Sequence, residues 1–514
     1  MVGELGIQSG GIDLPARRDA GRQGPGPGRV AASPQWHNWR MILMRILPPA
    51  LALGALCADP EREEAWAQFR GPNSTGVSAS TGLPLTFGPE RGVVWRTPVP
   101  PGKSSPVFAG DRIFLTAAEG ESLLTLCLDR RSGGVRWRRS ITRSREEKRH
   151  KLNDPAAATP VTDGRNVYAF FPDFGLVSYD GSGKERWKLP LPPMPSMQGV
   201  AASPVLSGDR LLLVVDQAQG SYMMSLSARN GETQWRRERR PAPGGAYSSP
   251  VVFQPPGEAA QLVTFSPFEV AGFSVETGEK LWWFGGLPPQ PKATPLVAGG
   301  TIYVYARSFF GDGLPVIPPF QAAIETSDRD KDGRISKEEA PEGPAKQFYG
   351  VVDRNKDGLL DAAEWAGMME AAAPKSSVTA IRPRGRGDLT SSAAVWRLER
   401  NIPDVPTPVL YRDSLYMVQN GGIVTTLDPA TGAIRRQGRL TGALGDYYAS
   451  PVAADGKVYF TSREGKIAVV RAAADWELLA VNDLGEECFA TPAITGGDLY
   501  VRTAAAMYRF SAAP

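Results

Sequence analysis

With 514 residues, 42% of them hydrophobic and 22% charged, the chain has the apolar material for a large buried core, which excludes wholesale disorder. Its 56 glycines and 46 prolines are too many for a helical protein. A formal charge of +4, from 58 basic and 54 acidic residues, gives no reason to expect a nucleic-acid partner.

Residues 1–40 are polar, rich in Gly, Pro and Arg, and show no periodicity, which predicts disorder or a mis-assigned start. Residues 41–67 then read as a signal peptide: Met41–Arg45 supplies the positive end and Ile46–Leu56 the apolar run, too short for the roughly 20 residues a membrane span needs. Translation is expected from Met41 or Met44, and small residues offer cleavage after Ala58 or before Gln68. Export to a periplasmic or extracellular compartment follows, with no transmembrane segment. Cys57 is a candidate for lipid anchoring, although Leu56 occupies the place where a small residue is wanted. Processing leaves Cys127 and Cys488, read as two lone buried thiols rather than a disulfide.

From there one short phrase recurs along the chain: Ser105-Pro106-Val107, Thr159-Pro160-Val161, Ser203-Pro204-Val205, Ser249-Pro250-Val251, Thr294-Pro295-Leu296, Thr407-Pro408-Val409, Ser450-Pro451-Val452 and Thr491-Pro492-Ala493. Successive prolines lie 54, 44, 46, 45, 113, 43 and 41 residues apart, so one interval is stretched and the other six fit four-stranded propeller blades. Within the units a glycine turn is followed four residues later by tryptophan, as at Gly133 and Trp137, Gly183 and Trp187, Gly231 and Trp235, and Gly278 and Trp282. That spacing predicts a hairpin whose last strand presents a large aromatic to the neighbouring blade, as structural packing rather than a cofactor stack. After Asp428 the pattern breaks, with Arg436 where the tryptophan belongs. The last unit is too short for four strands, while Gly92-Val93-Val94-Trp95 is a lone strand. The fold class is therefore an all-β, eight-bladed propeller closed by an N-terminal strand, which removes open sheet edges. The basic clusters 136–151 and 236–240 read as solvated blade-edge loops.

Residues 313–375 fill the stretched interval, separating residues 68–312, which hold the closing strand, blades 1–4 and the start of blade 5, from residues 376–514, which complete the ring. The insertion contains two twelve-residue loops with EF-hand spacing, 328–339 and 353–364. Calcium takes six to eight oxygens, so side chains at loop positions 1, 3 and 5 must converge: Asp328, Asp330 and Asp332, then Asp353, Asn355 and Asp357. Position 7 offers the carbonyl of Arg334 or Leu359, position 9 the side chain of Ser336 or Asp361, and position 12 both oxygens of Glu339 or Glu364. Gly333 and Gly358 permit the sharp turn, and Ile335 and Leu360 are expected to pair the loops as a short sheet. Residues 325–370 carry 12 acidic and 7 basic side chains, a net charge of −5 that two calcium ions would offset. Helices are expected at 319–326 and 362–373, with Pro341 and Pro344 shortening the connection between the loops. A structural clamp is the leading role for the ions, since exported modules bind calcium at about 10⁻⁴–10⁻³ M and stay loaded outside the cell. Met368 and Met369 read as ordinary packing rather than a sensor groove.

The repeat phrases, with Pro160-Val161-Thr162-Asp163-Gly164 followed by Val167-Tyr168-Ala169-Phe170, resemble the pyrroloquinoline-quinone-like propeller repeat proteins, a family that includes the outer-membrane assembly propeller lipoprotein. Gln68-Phe69-Arg70-Gly71-Pro72-Asn73 is similar to the mature start of its exported members. The resemblance covers residues 68–510 and implies both scaffolds and quinone-dependent dehydrogenases. The dehydrogenases carry two adjacent cysteines beside the cofactor, and this chain has no adjacent pair and no Cys-x-x-Cys-His haem motif. With His150 the one histidine beyond the signal segment, a Ser-His-Asp site or a histidine-rich zinc site lacks material. The expected function is thus an exported, non-enzymatic scaffold that binds calcium and receives protein or polysaccharide on its channel face. Lys103, Asn153, Gln198, Tyr247, Lys292, Asp404, Tyr447 and Phe489, each just before a repeat phrase, are the candidates for that face. The alternatives are a pyrroloquinoline-quinone-dependent oxidoreductase and a calcium-responsive adhesion module.

Overall fold

The computed structural model describes residues 66–512 apart from 243–244, 309 and 313–316, so most of the expected signal segment, including Cys57, lies outside the described residues. Eight sheets form around the repeats. Blade 1 is typical, with strands Val107–Ala109, Arg112–Glu119, Ser122–Asp129 and Val135–Thr142 running antiparallel in sequence order. Blades 2, 3, 4, 6 and 7 repeat that meander over 161–190, 205–238, 251–284, 409–439 and 452–483. Blade 8 takes three strands from residues 493–511, and its outer strand is Val93–Pro98, which pairs with Ala506–Ser511. The expected clasp between the two ends of the chain is therefore present.

Each repeat phrase does one job at the axis. Its first residue is buried, and at six of the eight phrases its hydroxyl accepts the backbone N–H of the equivalent residue one blade earlier. Ser105 N–H donates to Thr159 Oγ1, Thr159 to Ser203 Oγ, and Ser203 to Ser249 Oγ, at 2.8–3.0 Å. Thr294 donates to Thr407 Oγ1, Thr407 to Ser450 Oγ, and Ser450 to Thr491 Oγ1, each at 3.0 Å. A hydroxyl is the shortest side chain that offers an acceptor there, and the proline that follows fixes the backbone entering the innermost strand.

At larger radius the apolar core is divided into layers between blades. The seam of blades 1 and 2 holds Phe114, Trp137, Val167, Phe171 and Tyr179, and other seams are built alike. Trp137, Trp187 and Trp235 reach the next blade as expected, their indole N–H groups donating to Gly181, Ala228 and Val275 carbonyls at 3.0–3.2 Å. Trp95 on the closing strand and Trp396 in blade 5 do the same. Each of these five rings rests on the glycine of the next blade's turn, so that a Cβ at Gly183, Gly231 or Gly278 would lie 2.7–2.8 Å from it. A register shift between the last two strands recurs in every blade and sets the tryptophan's direction.

Two departures share one cause. Blade 5 carries the segment 382–393 where a short glycine turn would be, and Gly387–Asp388 from it adds a fifth, parallel strand to blade 4. Trp282 therefore finds no glycine seat across the seam; it lies over Gly272 of its own blade and donates to Gln261 Oε1 at 2.7 Å. Arg436, in the place of a tryptophan, lies 4.9 Å over the Trp476 ring of blade 7 and donates to Asp475 O. Cys127 and Cys488 are free and fully buried, and desolvation pushes both thiols up to about 12.

Thr159→Val keeps the side chain's shape but removes the acceptor of the buried Ser105 amide. Urea titration is expected to show a loss of about 1–3 kcal/mol, the cost of one orphaned buried donor; an unchanged midpoint would deny the axial ring any net role. Gly231→Ala should lower the melting temperature more than Gly257→Ala, because both glycines have φ near 75° but open space surrounds Gly257 and Trp187 covers Gly231.

Candidate functional site

Two regions carry chemistry beyond packing. The first is the insertion, which enters and leaves blade 5 between its second strand, Thr301–Ala306, and its third, Ser377–Ile381. Four helices build it: α1 (Phe320–Ser327), α2 (Pro344–Gln347), α3 (Tyr349–Val352) and α4 (Ala362–Ala372). The connection between the loops is broken into the single turns α2 and α3 at Phe348, consistent with Pro344 opening the first of them. Ile335 pairs with Leu360 and Ser336 with Leu359, and Tyr349 Oη donates to both Ile335 O and Gly358 O, tying the two loops together. Trp365, Met368, Ala323 and Val352 close a small core behind them.

In the first loop one carboxylate oxygen each of Asp328, Asp330 and Asp332 lies within 4.8 Å of the others. Gly333 turns at φ 79° and leaves the Arg334 carbonyl at loop position 7. A hydrogen bond from the Asp332 amide draws the Asp330 pKa down, yet desolvation and the neighbouring charges of Asp332, Glu339 and Asp328 outweigh it, and the net shift is upward. Like charges held this close are what a cation relieves. Glu339 goes the other way, down to about 2, because the amides of Ser336 and Arg329 donate to its carboxylate. Ser336 also donates its hydroxyl to Glu339, so its side chain faces the position-12 carboxylate.

In the second loop Asp353 is buried and its Oδ1 has no partner among the described residues, while its Oδ2 accepts from Gly358 N–H. Glu364 is buried too and accepts from the amides of Arg354, Asn355 and Asp361. Asp361 caps α4 by accepting from Glu364 N–H, and this reciprocal pair fixes the start of the helix. Asp357 Oδ2 accepts from Asn355 and from Arg334 Nη1 at 3.0 Å, a link between the loops. Asp357 is thereby drawn towards the partner loop, and among the described residues three carboxylates converge in the first loop alone. Leu359 keeps its carbonyl at position 7. The orphaned Asp353 oxygen and the crowded trio at 328–332 make the donor set fit a hard, oxygen-loving divalent cation.

The second region is the axial face. A polar cup is walled by the axial hydroxyls, from Ser105 to Thr491, and rimmed by Lys103, Asn153, Tyr448 and Phe489. Of the residues singled out from the sequence, Lys103, Asn153, Tyr247, Lys292 and Phe489 line it. Asp404 holds Lys292 at 2.7 Å beside an adjoining hollow that also contains Arg307 and Phe310 at the root of the insertion. Gln198 contributes its carbonyl, which accepts from Asn153 Nδ2 at 2.8 Å. Tyr447 is instead buried in the seam of blades 6 and 7, and the next residue, Tyr448, faces the cup; a one-residue step in extended chain reverses the side chain. Lys103 Nζ sits 4.1 Å over the Phe489 ring and donates to Leu152 O, and desolvation lowers its pKa. Arg463 pairs with Glu487 at 2.7 Å. Asp154 is raised by desolvation despite Arg502 and Lys103 nearby.

What closes the cup was not legible from the sequence. Residues 66–78 cross beneath the ring: Trp66 O accepts from Phe108 N–H in blade 1, Ala67 O from Thr162 N–H in blade 2, and Gly76 and Ser78 bond Ala453 in blade 7. Phe69 supplies the floor. Arg70 is wholly buried and donates only to carbonyls, of Ser74, Thr75, Thr407 and Pro408, at 2.7–3.0 Å, and burial brings its pKa down to about 9. Because Trp66 and Ala67 are part of this strap, cleavage after Ala58 keeps it whole, whereas cleavage before Gln68 would remove two of its anchors.

A family model described as outer membrane protein assembly factor BamB matches residues 89–245, 127–328 and 366–513, and an EF-hand model matches 320–339. Among solved structures, BamB from Moraxella catarrhalis aligns at a TM-score of 0.50 and 11% identity over 81% of this chain and all of that one. A europium-containing methanol dehydrogenase aligns at 0.52 and 10% over 86% and 89%, and the quinohemoprotein alcohol dehydrogenase ADHIIG from Pseudomonas putida HK5 at 0.51 and 12% over 87% and 80%. No curated protein sequence matches. At these identities the structures share the fold with this chain and nothing finer.

Arg70→Met should orphan the Thr407 and Pro408 carbonyls, at about 1–3 kcal/mol each. Hydrogen exchange at the amides of Gly76, Ser78 and Ala453 is expected to quicken, and exchange as slow as in the parent chain would mean that the arginine does not hold the strap.

Proposed function

The chain belongs to the BamB-type propeller family, and from that premise we propose that it is an exported binding scaffold whose axial cup receives a segment of protein or polysaccharide. The observation that carries the reading is the strap, which closes the cup from below and leaves one polar, aromatic-rimmed mouth. The charged groups at that mouth are already engaged, Lys292 with Asp404 and Arg463 with Glu487, and such pairs give a partner register and selectivity rather than a reacting group.

Two calcium ions belong to the same reading. Asp328, Asp330, Asp332, the Arg334 carbonyl, Ser336 and Glu339 would hold one, and Asp353, Asn355, Asp357, the Leu359 carbonyl, Asp361 and Glu364 the other. The ions supply positive charge and no redox chemistry. What the chain contributes is a preset turn at each glycine, a paired short sheet and a capped helix, so that loading stiffens the insertion beside the cup's rim. The periplasm or the cell exterior, where calcium is abundant, suits this clamp.

A photoreactive residue placed at Tyr448 or Phe489 in living cells is expected to trap a protein or a glycan, whereas one at the exposed Val135 on the outer wall is not. Cross-links confined to Val135 would move the binding face away from the axis, and quinone-dependent dye reduction by the purified protein with calcium would replace the scaffold by an oxidoreductase. Calorimetric titration with calcium should show two ions per chain, one with Glu364→Gln, and a rise in the urea midpoint on loading. Equal uptake by both proteins would remove Glu364 from the ligand set.

A further inference from the structure

Where the insertion meets the propeller, a hollow of about 150 Å³ lies between two apolar walls. Val351, Val352, Met368 and Phe310 form the insertion's side, and Pro267, Phe268 and Pro289 form the other. Neither the calcium loops nor the axial cup accounts for it. Two guanidinium groups frame it. Arg240 lies 4.4 Å over the Phe268 ring and pairs with Glu370 of α4. Arg354 lies flat on Gly367 of α4, where any Cβ would collide with its guanidinium. A glycine inside a helix normally costs stability, and here it makes room for a cation. The Arg354 guanidinium has no hydrogen bond or ion pair among the described residues, although Arg354 lines the hollow.

We propose that this seam hollow binds a free medium-chain carboxylate, with the alkyl tail among Val352, Met368 and Phe268 and the headgroup at Arg354 and Arg240. At about 150 Å³ the hollow is smaller than the roughly 300–1,000 Å³ of drug-sized ligand sites, so it admits a single alkyl tail and no bulkier group. Its walls are mainly apolar, with Arg240, Arg354 and Glu364 the charged residues among its lining, which suits an alkyl tail better than a sugar's many hydroxyls. The unpaired charge at the rim asks for a single anionic group, which sets an amphiphile apart from a plain hydrocarbon. Methionine suits a tail of variable shape. Glu364 also touches the hollow, but its oxygens face the loop amides, and calcium in the second loop offsets its charge. To that extent the inference rests on the calcium reading.

The test is calorimetric titration of the full-length chain, in excess calcium chloride, with dodecanoate below its micellar concentration, with dodecanol and with acetate. Dodecanoate is expected to bind at least about tenfold more tightly than either, the scale of one charge-assisted hydrogen bond. Ala371→Trp, which fills the hollow, should abolish binding, and Arg354→Glu should reverse the preference towards dodecylammonium. Equal affinity for dodecanol, or dodecanoate binding untouched by both variants, overturns the proposal, as does occupation of the hollow by a hydrophobic helix that dodecanoate fails to displace. Titration with calcium alone separates the two readings: a chain that takes up calcium but no dodecanoate keeps the clamp and loses this site.

Discussion

Around the axis, a backbone amide that points into the channel wall has no strand to pair with, and a serine or threonine from the next blade satisfies it. The remaining architecture follows from that constraint. An acceptor on a one-carbon stem allows the innermost strands to approach closely, and each blade must then widen outwards as a wedge. Large residues are needed at the wide end, which is where the tryptophans stand. The glycine beneath each ring is the complement, since the indole can lie flat against the neighbouring backbone only where no Cβ intervenes. Inner hydroxyls and outer indoles are thus two ends of one packing solution, and the sequence carries both because neither position tolerates much else.

For that reason the ring was legible before any coordinates. Ser/Thr-Pro phrases at near-constant spacing and glycine four residues ahead of tryptophan are direct imprints of the axis and the seam, and the missing strand at the C-terminal end called for one near residue 95. What could not be read depends on contacts across the ring. Nothing local distinguishes Trp282 from Trp235; the difference is the segment 382–393, more than a hundred residues later, which replaces the glycine seat. Nor does Arg70 announce itself, because its four acceptors include carbonyls more than 330 residues away.

The candidate sites divide along the same line. Ion chemistry dictates oxygens at fixed intervals within twelve residues, so the loops at 328–339 and 353–364 and the pairing of Ile335 with Leu360 could be read from the sequence, whereas the pull of Arg334 on Asp357 could not. The cup obeys no such rule. Its residues come from many separate loops, and an error of one position at Tyr447 turned a core side chain into a supposed surface one. Arg463 escaped notice since it lies in a turn that carries no repeated phrase, and Asp446 and Glu487 because they sit one and two residues before the positions singled out, Tyr447 and Phe489. Topology nevertheless joins the two regions. In a four-stranded meander the turn between the second and third strands opens at the same end as the link to the next blade, so an insertion there emerges beside the cup, as Arg307 and Phe310 show.

The clasp of Val93–Pro98 with Ala506–Ser511 has a temporal side. A chain that emerges N-terminus first, during synthesis or on crossing a membrane, delivers one strand of the eighth sheet some four hundred residues before the other three. Until the final strands arrive, residues 93–98 have no ladder to join, and the first blade lacks a neighbour on one flank. Premature termination anywhere downstream leaves an arc with two raw ends, which proteases and holding chaperones can tell from a finished circle, so completeness of the polypeptide is checked by geometry alone.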